Sequence, residues 1–294
     1  VITKLLLLAN TSPLIGALNM ITIEQIKTST LINDSAKIWA IDNLEYLNKP
    51  MTFFGSSTKV EKGSEKRDTY IMYLQPANKV STQTLCAAAE FSGCVKPCLI
   101  SSGQLGMTTG QKAATKRTIL MLLAPDYFKS RILAEIDRAE LKARKTGIPA
   151  LFRLNGTSDV DFSDIIASRP NSNFYDYTKV LSRVRSNTLA NYDLTFSGSM
   201  YSKQSKAALS KAVDRKLKLV VAFNTKNLPD ESLRIPAQLI DFDATDLRPL
   251  DLPGSKGALK RKGSNKLDRA GETDKSFFIT EHNYSEAMAI LKIA

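Results

Sequence analysis

Cys86, Cys94 and Cys98 are the whole cysteine complement of the chain and stand in a C-x7-C-x3-C arrangement. Thiolates this close in sequence suit a soft metal or an iron–sulfur cluster. An odd number of cysteines gathered in one short stretch is a poor disulfide framework and points to a reducing compartment. A structural zinc site wants four ligands, and the single histidine, His282, lies far along the chain. The plain alternative is three buried thiols, because free cysteine is among the most buried residue types.

A second set of residues follows the strand-like runs. In parallel β/α architectures the site is built where the strands end, so these positions carry the chemistry. They read Asn155-Gly156-Thr157-Ser158-Asp159, Thr178-Lys179, Ser197-Gly198-Ser199 and Asn224-Thr225-Lys226, with Asp241 and Asp243 ending a further run. Gly156 lets the backbone approach a ligand closely. Tyr175, Tyr177 and Lys179 could offer phenols and an ammonium to the same cavity. Against this, Asn, Gly, Ser and Asp make turns and helix caps in any protein. Local capping explains one such loop well and explains five in register less well.

The elements that must position these residues alternate. Strand-like runs cover 70–75, 150–154, 173–177, 192–196, 217–223 and 237–241, with a weaker one at 257–260. Helical patterns cover 108–123, 126–145 (stopped by Gly147 and Pro149), 203–216 and 284–293. This alternation predicts an α/β protein, a partial (β/α) barrel of about six mainly parallel strands. Residues 20–270 form the barrel-like domain, with the cysteine loop at 86–106 and a basic segment at 255–269, and 271–294 form a C-terminal segment. Residues 1–19 read as an extension that contributes little to the fold.

Forty-one Lys and Arg against 29 Asp and Glu give a net charge of +12, which attracts polyanions such as nucleic acid or phosphate-bearing substrates. No run reaches the roughly 18 apolar residues of a membrane-spanning helix, so no membrane partner is expected. One histidine disfavours His-pair nucleases and leaves a Ser-His-Asp hydrolase resting on His282 alone. Neither a P-loop nor a dinucleotide-binding fingerprint occurs.

The motifs LCAAAEFSGCVKPCLISSGQLGM, RLNGTSD, FYDYTK and YDLTFSGS make residues 51–263 resemble a bacteriophage-encoded protein family with a Cys-rich loop and no assigned reaction. That family is itself similar to diverged radical-SAM enzymes, whose three-cysteine loop follows the first strand and whose polar motif follows the second. The resemblance implies that Cys86, Cys94 and Cys98 hold a [4Fe-4S] cluster, with zinc the lesser option. It implies that Asn155, Gly156, Thr157, Ser158 and Asp159 meet the methionine amino group of S-adenosylmethionine. Ser197 and Ser199 would face its ribose or carboxylate, and Lys179 and Asn224 would complete the cofactor pocket. The usual spacing in such enzymes is C-x3-C-x2-C, so the loop here is longer. The implied function is a radical-SAM-like enzyme of unknown substrate in the host cell cytoplasm. The alternative is a non-enzymatic, basic phage accessory protein that binds nucleic acid or a host protein.

Overall fold

Apolar side chains on both faces of the strand-like runs mark a sheet buried on its two sides, as parallel sheets are. A computed structural model describes residues 21–55, 65–95, 97–101, 103–225, 235–262 and 276–293. The sheet has eight strands: β1 (Phe54–Gly55), β2 (Asp68–Met72), β3 (Ala150–Arg153), β4 (Asn173–Thr178), β5 (Tyr192–Ser197), β6 (Leu219–Phe223), β7 (Ile240–Asp241) and β8 (Lys256–Lys260). They lie in the order β1-β2-β3-β4-β5-β6-β8-β7. β1 pairs antiparallel with β2, and every other neighbouring pair is parallel. The sheet is mixed α/β in setting, mostly parallel and not closed.

Register places Tyr70, Phe152, Phe174 and Tyr192 side by side across four strands. Neighbouring rings in that row sit 5.5 and 5.4 Å apart for Tyr70–Phe152 and Phe152–Phe174. Helices cover this face. The longest, α5 (Pro125–Thr146), opens on a proline and closes on Gly147 at φ 74°, the usual start and stop for a helix. Its buried stripe of Phe128, Ile132, Ile136 and Ala139 joins the same core as the ring row. Each large side chain buried there contributes about 1.5–3 kcal/mol.

The opposite face carries Leu151, Arg153, Tyr175 and Tyr177, because side chains alternate along a strand. The segment after β7, with its 3-10 helix Arg248–Leu250, packs on it, Leu247 clustering against Leu151 and Tyr175. A Cβ on Gly257 would lie 2.2 Å from the Phe242 ring, so this segment reaches β8 only because residue 257 is glycine.

Helices α1 (Ile23–Thr28), α2 (Asp34–Asp42) and α3 (Leu44–Asn48) precede the sheet. They dock on α4 (Thr108–Leu123), where the buried Lys116 ammonium donates to the carbonyls of Tyr46 and Lys49. Burial lowers the Lys116 pKa to about 8, with Lys49 adding repulsion. The remaining helices are α6 (Ser163–Ala167), α7 (Leu181–Ser186), α8 (Lys203–Asp214) and α9 (Tyr284–Leu291).

The strand expected at 70–75 runs instead over Asp68–Met72, and two others start later than their apolar runs. Lys216 at φ 53° and Leu217 close α8 by bonding back to Val213 and Ala212, so β6 begins only at Leu219. A turn from Pro236 to Leu239 takes the start of the 237–241 run and leaves β7 two residues long. The expected extension at 1–19 lies outside the described residues. No helix among those described is long and apolar enough to cross a membrane.

Candidate functional site

A cavity of about 280 Å³ opens at the carboxyl ends of β2, β3, β4 and β5. The segment after β2 contributes Pro76 to Lys79 and the cysteine loop. The other strands contribute Arg153 with Asn155 to Asp159, Tyr177 with Lys179, and Ser197. Seven of the nine cofactor-pocket residues expected from the sequence therefore share one lining: Asn155, Gly156, Thr157, Ser158, Asp159, Lys179 and Ser197.

Asn224 is not in that lining. Its backbone N–H donates to the Ile279 carbonyl at 2.9 Å, because the C-terminal segment lies along the end of β6. Ser199 is not in it either; its hydroxyl donates to the Ser92 carbonyl at 2.6 Å and so fastens the cysteine loop. Ser202 does the same to the Phe91 carbonyl at 2.6 Å. Between them Gly93, at φ 68°, sits under the Tyr201 ring where a Cβ would come within 2.4 Å. Asp241 and Asp243 lie apart from the cavity and shape the turn after β7, Asp243 pairing with Lys262 at 2.6 Å.

The RLNGTSD loop is tied down on every side. Asn155 donates its backbone N–H and its side-chain amide to Asp176 at 2.8 and 3.2 Å, while its Oδ1 accepts from Ser158 and from Val160 N–H at 2.8 Å each. Gly156 N–H donates to the Met72 carbonyl at 2.9 Å, and Asp159 N–H to the Leu85 carbonyl at 2.9 Å. The loop thus bridges the end of β2 and the start of the cysteine loop. A Cβ on Gly156 would fall 2.7 Å from the Met72 oxygen and 2.5 Å from the Tyr73 ring. Asp159 accepts from Thr178 and from Lys179 N–H at 3.0 and 3.1 Å and pairs with Arg183.

Two buried carboxylates underlie the lining. Asp176 is 1 % exposed, and burial raises its pKa to about 6 against the opposing pull of Arg153, Asn155 and Tyr192. Asp246 accepts from Tyr175 at 2.7 Å, Tyr177 at 3.0 Å and Arg153 at 3.1 Å. Arg153 also lies over the two tyrosine rings, 4.8 Å from that of Tyr177 and 5.9 Å from that of Tyr175. Burial opposes its charge more than any single neighbour favours it, but Asp246, Tyr175, Tyr177 and Asp176 together outweigh burial and raise its pKa. Burial drives both phenols well above their ordinary range.

Cys86, Cys94 and Cys98 all line the cavity, and none is in a disulfide. Burial pushes the Cys86 thiol up to about 12 although Ala77 N–H donates to its sulfur at 3.4 Å. Burial also raises Cys98, while a bond from Ile100 and the charges of Lys79 and Lys179 pull it down. Cys94 raises both thiols further and Cys98 raises Cys86, so a cation nearby would favour their thiolates. The donor set is of the kind a soft metal group takes, three thiols on one wall. In the arrangement seen, no group of three or more His, Cys, Asp or Glu among the described residues is gathered closely enough to hold a metal ion. His282 is exposed on the turn Glu281–Asn283 and is not part of the lining.

Three members of the site lacked a sequence signal of their own. Asp176 could have been noticed as a carboxylate in the middle of an aromatic strand. Asp246 and Phe277, whose ring lies 4.6 Å from the Lys179 ammonium, come from distant segments. Of the basic segment, residues 256–260 form β8, and 263–269 lie outside the described residues.

A family model described as Gene product 88 matches residues 51–280, in agreement with a phage-type protein. No curated protein and no solved structure matches the chain.

Proposed function

We propose that this chain, which belongs to the Gene product 88 family, is a radical-SAM-like enzyme built on a partial (β/α) barrel. One observation carries the reading: the three cysteines and the residues that follow β3, β4 and β5 line a single cavity at the same end of parallel strands. The strand order supports the barrel. From β2 to β6 and on to β8 the strands succeed one another without the reversal that marks a doubly wound sheet. Right-handed crossovers then put the α-helices that follow the strands on one face, and among the described residues the segment after β7 covers the other.

Cys86, Cys94 and Cys98 would hold a [4Fe-4S] cluster, which when bound would supply an electron for reductive cleavage of S-adenosylmethionine. The chain's own residues orient and enclose. Asp176 fixes the Asn155 loop beside the cysteine loop. Asp159, held by Thr178 and Arg183, faces the cavity as the one lining carboxylate among the described residues. Arg153 and Tyr177 close the floor through Asp246.

Purification without oxygen, iron and sulfide analysis and reconstitution test the proposal. Bound iron with a brown colour is expected, lost in Cys86→Ala, Cys94→Ala and Cys98→Ala, together with dithionite-dependent release of 5′-deoxyadenosine. A folded, colourless protein that takes up no iron on reconstitution would rule the reading out and favour the accessory-protein alternative.

A further inference from the structure

We infer that the cavity binds a ligand through an anionic group, a carboxylate or a phosphate, received by Lys179 and Ser197. This rests on the reading of the cavity as a ligand-binding site and adds the chemistry of what it takes.

The charges of the lining are unequal. Among the described residues, Lys79, Arg153 and Lys179 face it with a single carboxylate, Asp159. Asp159 is already occupied by Arg183, Thr178 and the backbone of Lys179. Arg153 is neutralised by Asp246 behind the wall. Lys79 and Lys179 have no carboxylate partner among the described residues.

Lys179 is also aimed. Its ammonium donates to the Ser197 hydroxyl at 2.6 Å, across from the end of β4 to the end of β5. The Phe277 ring supports it from another side at 4.6 Å. An ammonium has three protons, and these neighbours use one hydrogen bond and one ring face. Having accepted from Lys179, the Ser197 oxygen keeps its own proton, which no acceptor takes among the described residues. A charged donor and a hydroxyl donor therefore stand side by side on the wall, a pair suited to two oxygens of one anion.

Inorganic phosphate and acetate, titrated separately into the iron-free full-length chain by calorimetry, are the probes. At least one should bind. Lys179→Met should weaken that binding about tenfold or more, the loss expected for one charge-assisted hydrogen bond. Ser197→Ala should weaken it less, and Lys211→Met, on the exposed side of α8, should leave it unchanged. Preference for phosphate assigns a phosphoryl ligand, and preference for acetate a carboxylate. Lys179→Gln replaces the methionine variant if that one fails to fold. Absence of binding by either anion, or equal binding by the Lys179 variants, overturns the inference. A protein that holds no iron yet binds phosphate through Lys179 keeps the inference and removes the cluster.

Discussion

Asn155 and Asp176 meet through two hydrogen bonds to one carboxylate, at 2.8 Å from the backbone N–H and 3.2 Å from the side-chain amide. The carboxylate stands on β4 and the asparagine on the loop after β3, so a buried charge in one strand sets the loop of the next. Tyr192, from β5, donates to the same carboxylate at 3.0 Å. Three consecutive strands thereby share one acceptor.

The raised pKa of Asp176 gives a signed pH dependence. Its ordinary value is 3.8 and burial lifts it to about 6, so between these values the folded chain binds more protons than the unfolded one. Its contribution to stability is complete below the lower value and is lost as pH rises through the upper one. The size is on the order of 3 kcal/mol. Asp176→Asn should remove this slope, and urea unfolding of both proteins between about pH 4 and 7 reads the difference directly. Parallel stability curves would show that Asp176 is ionised throughout.

Asp246 takes two phenols and the Arg153 guanidinium. Asp246→Asn keeps the shape and removes the charge, leaving Arg153 buried with Asp176 as its nearest carboxylate, 4.0 Å away. A loss of about 3–5 kcal/mol is expected, as for other broken buried pairs. Arg153→Met with Asp246→Asn should recover part of it, and a double-mutant cycle measures the coupling. Additive losses would show that the two side chains act separately.

Gly156→Ala places a methyl group against the Met72 oxygen, backbone that cannot swing aside. The substitution should cost about 1–3 kcal/mol and shift the loop. Gly55→Ala serves as the control, because nothing among the described residues lies within 4 Å of its added Cβ. Thermal unfolding that shows the same midpoint for both variants would mean that the loop after β3 yields without cost.

Much of the sheet was legible because it rests on local alternation. Phe152 and Arg153 point to opposite faces, and the aromatic run 173–177 forms a strand one residue longer than its pattern. Gly147 and Pro149 ended α5 as such residues do. Helices α1 to α3 were not legible by periodicity, since segments of six, nine and five residues show no repeating stripe. Their caps were the available signal: Thr22 with Gln25 makes a capping box, and Asn33 accepts from Ala36 N–H. Within the site, the strand ends could be found from sequence because every strand but β1 points one way. Asp246 could not, since it lies 71 and 93 positions from the Tyr175 and Arg153 it joins. Ser199 and Asn224 fit the strand-end rule and still miss the cavity. A loop above one and a C-terminal segment across the other claim their polar groups first.

The two outermost strands, β1 and β7, are only two residues long each. A long, flat edge offers a row of unpaired N–H and C=O groups on which another chain can add a strand. Edges this short present few such groups, and Pro50 and Pro236 lie close before them as further obstacles to pairing. The interior strands, rich in Val, Phe and Leu, would be prone to amyloid-like stacking if they were exposed. Their placement in the middle of the sheet lets the protein keep a strongly apolar parallel core while resisting fibrous growth at its borders.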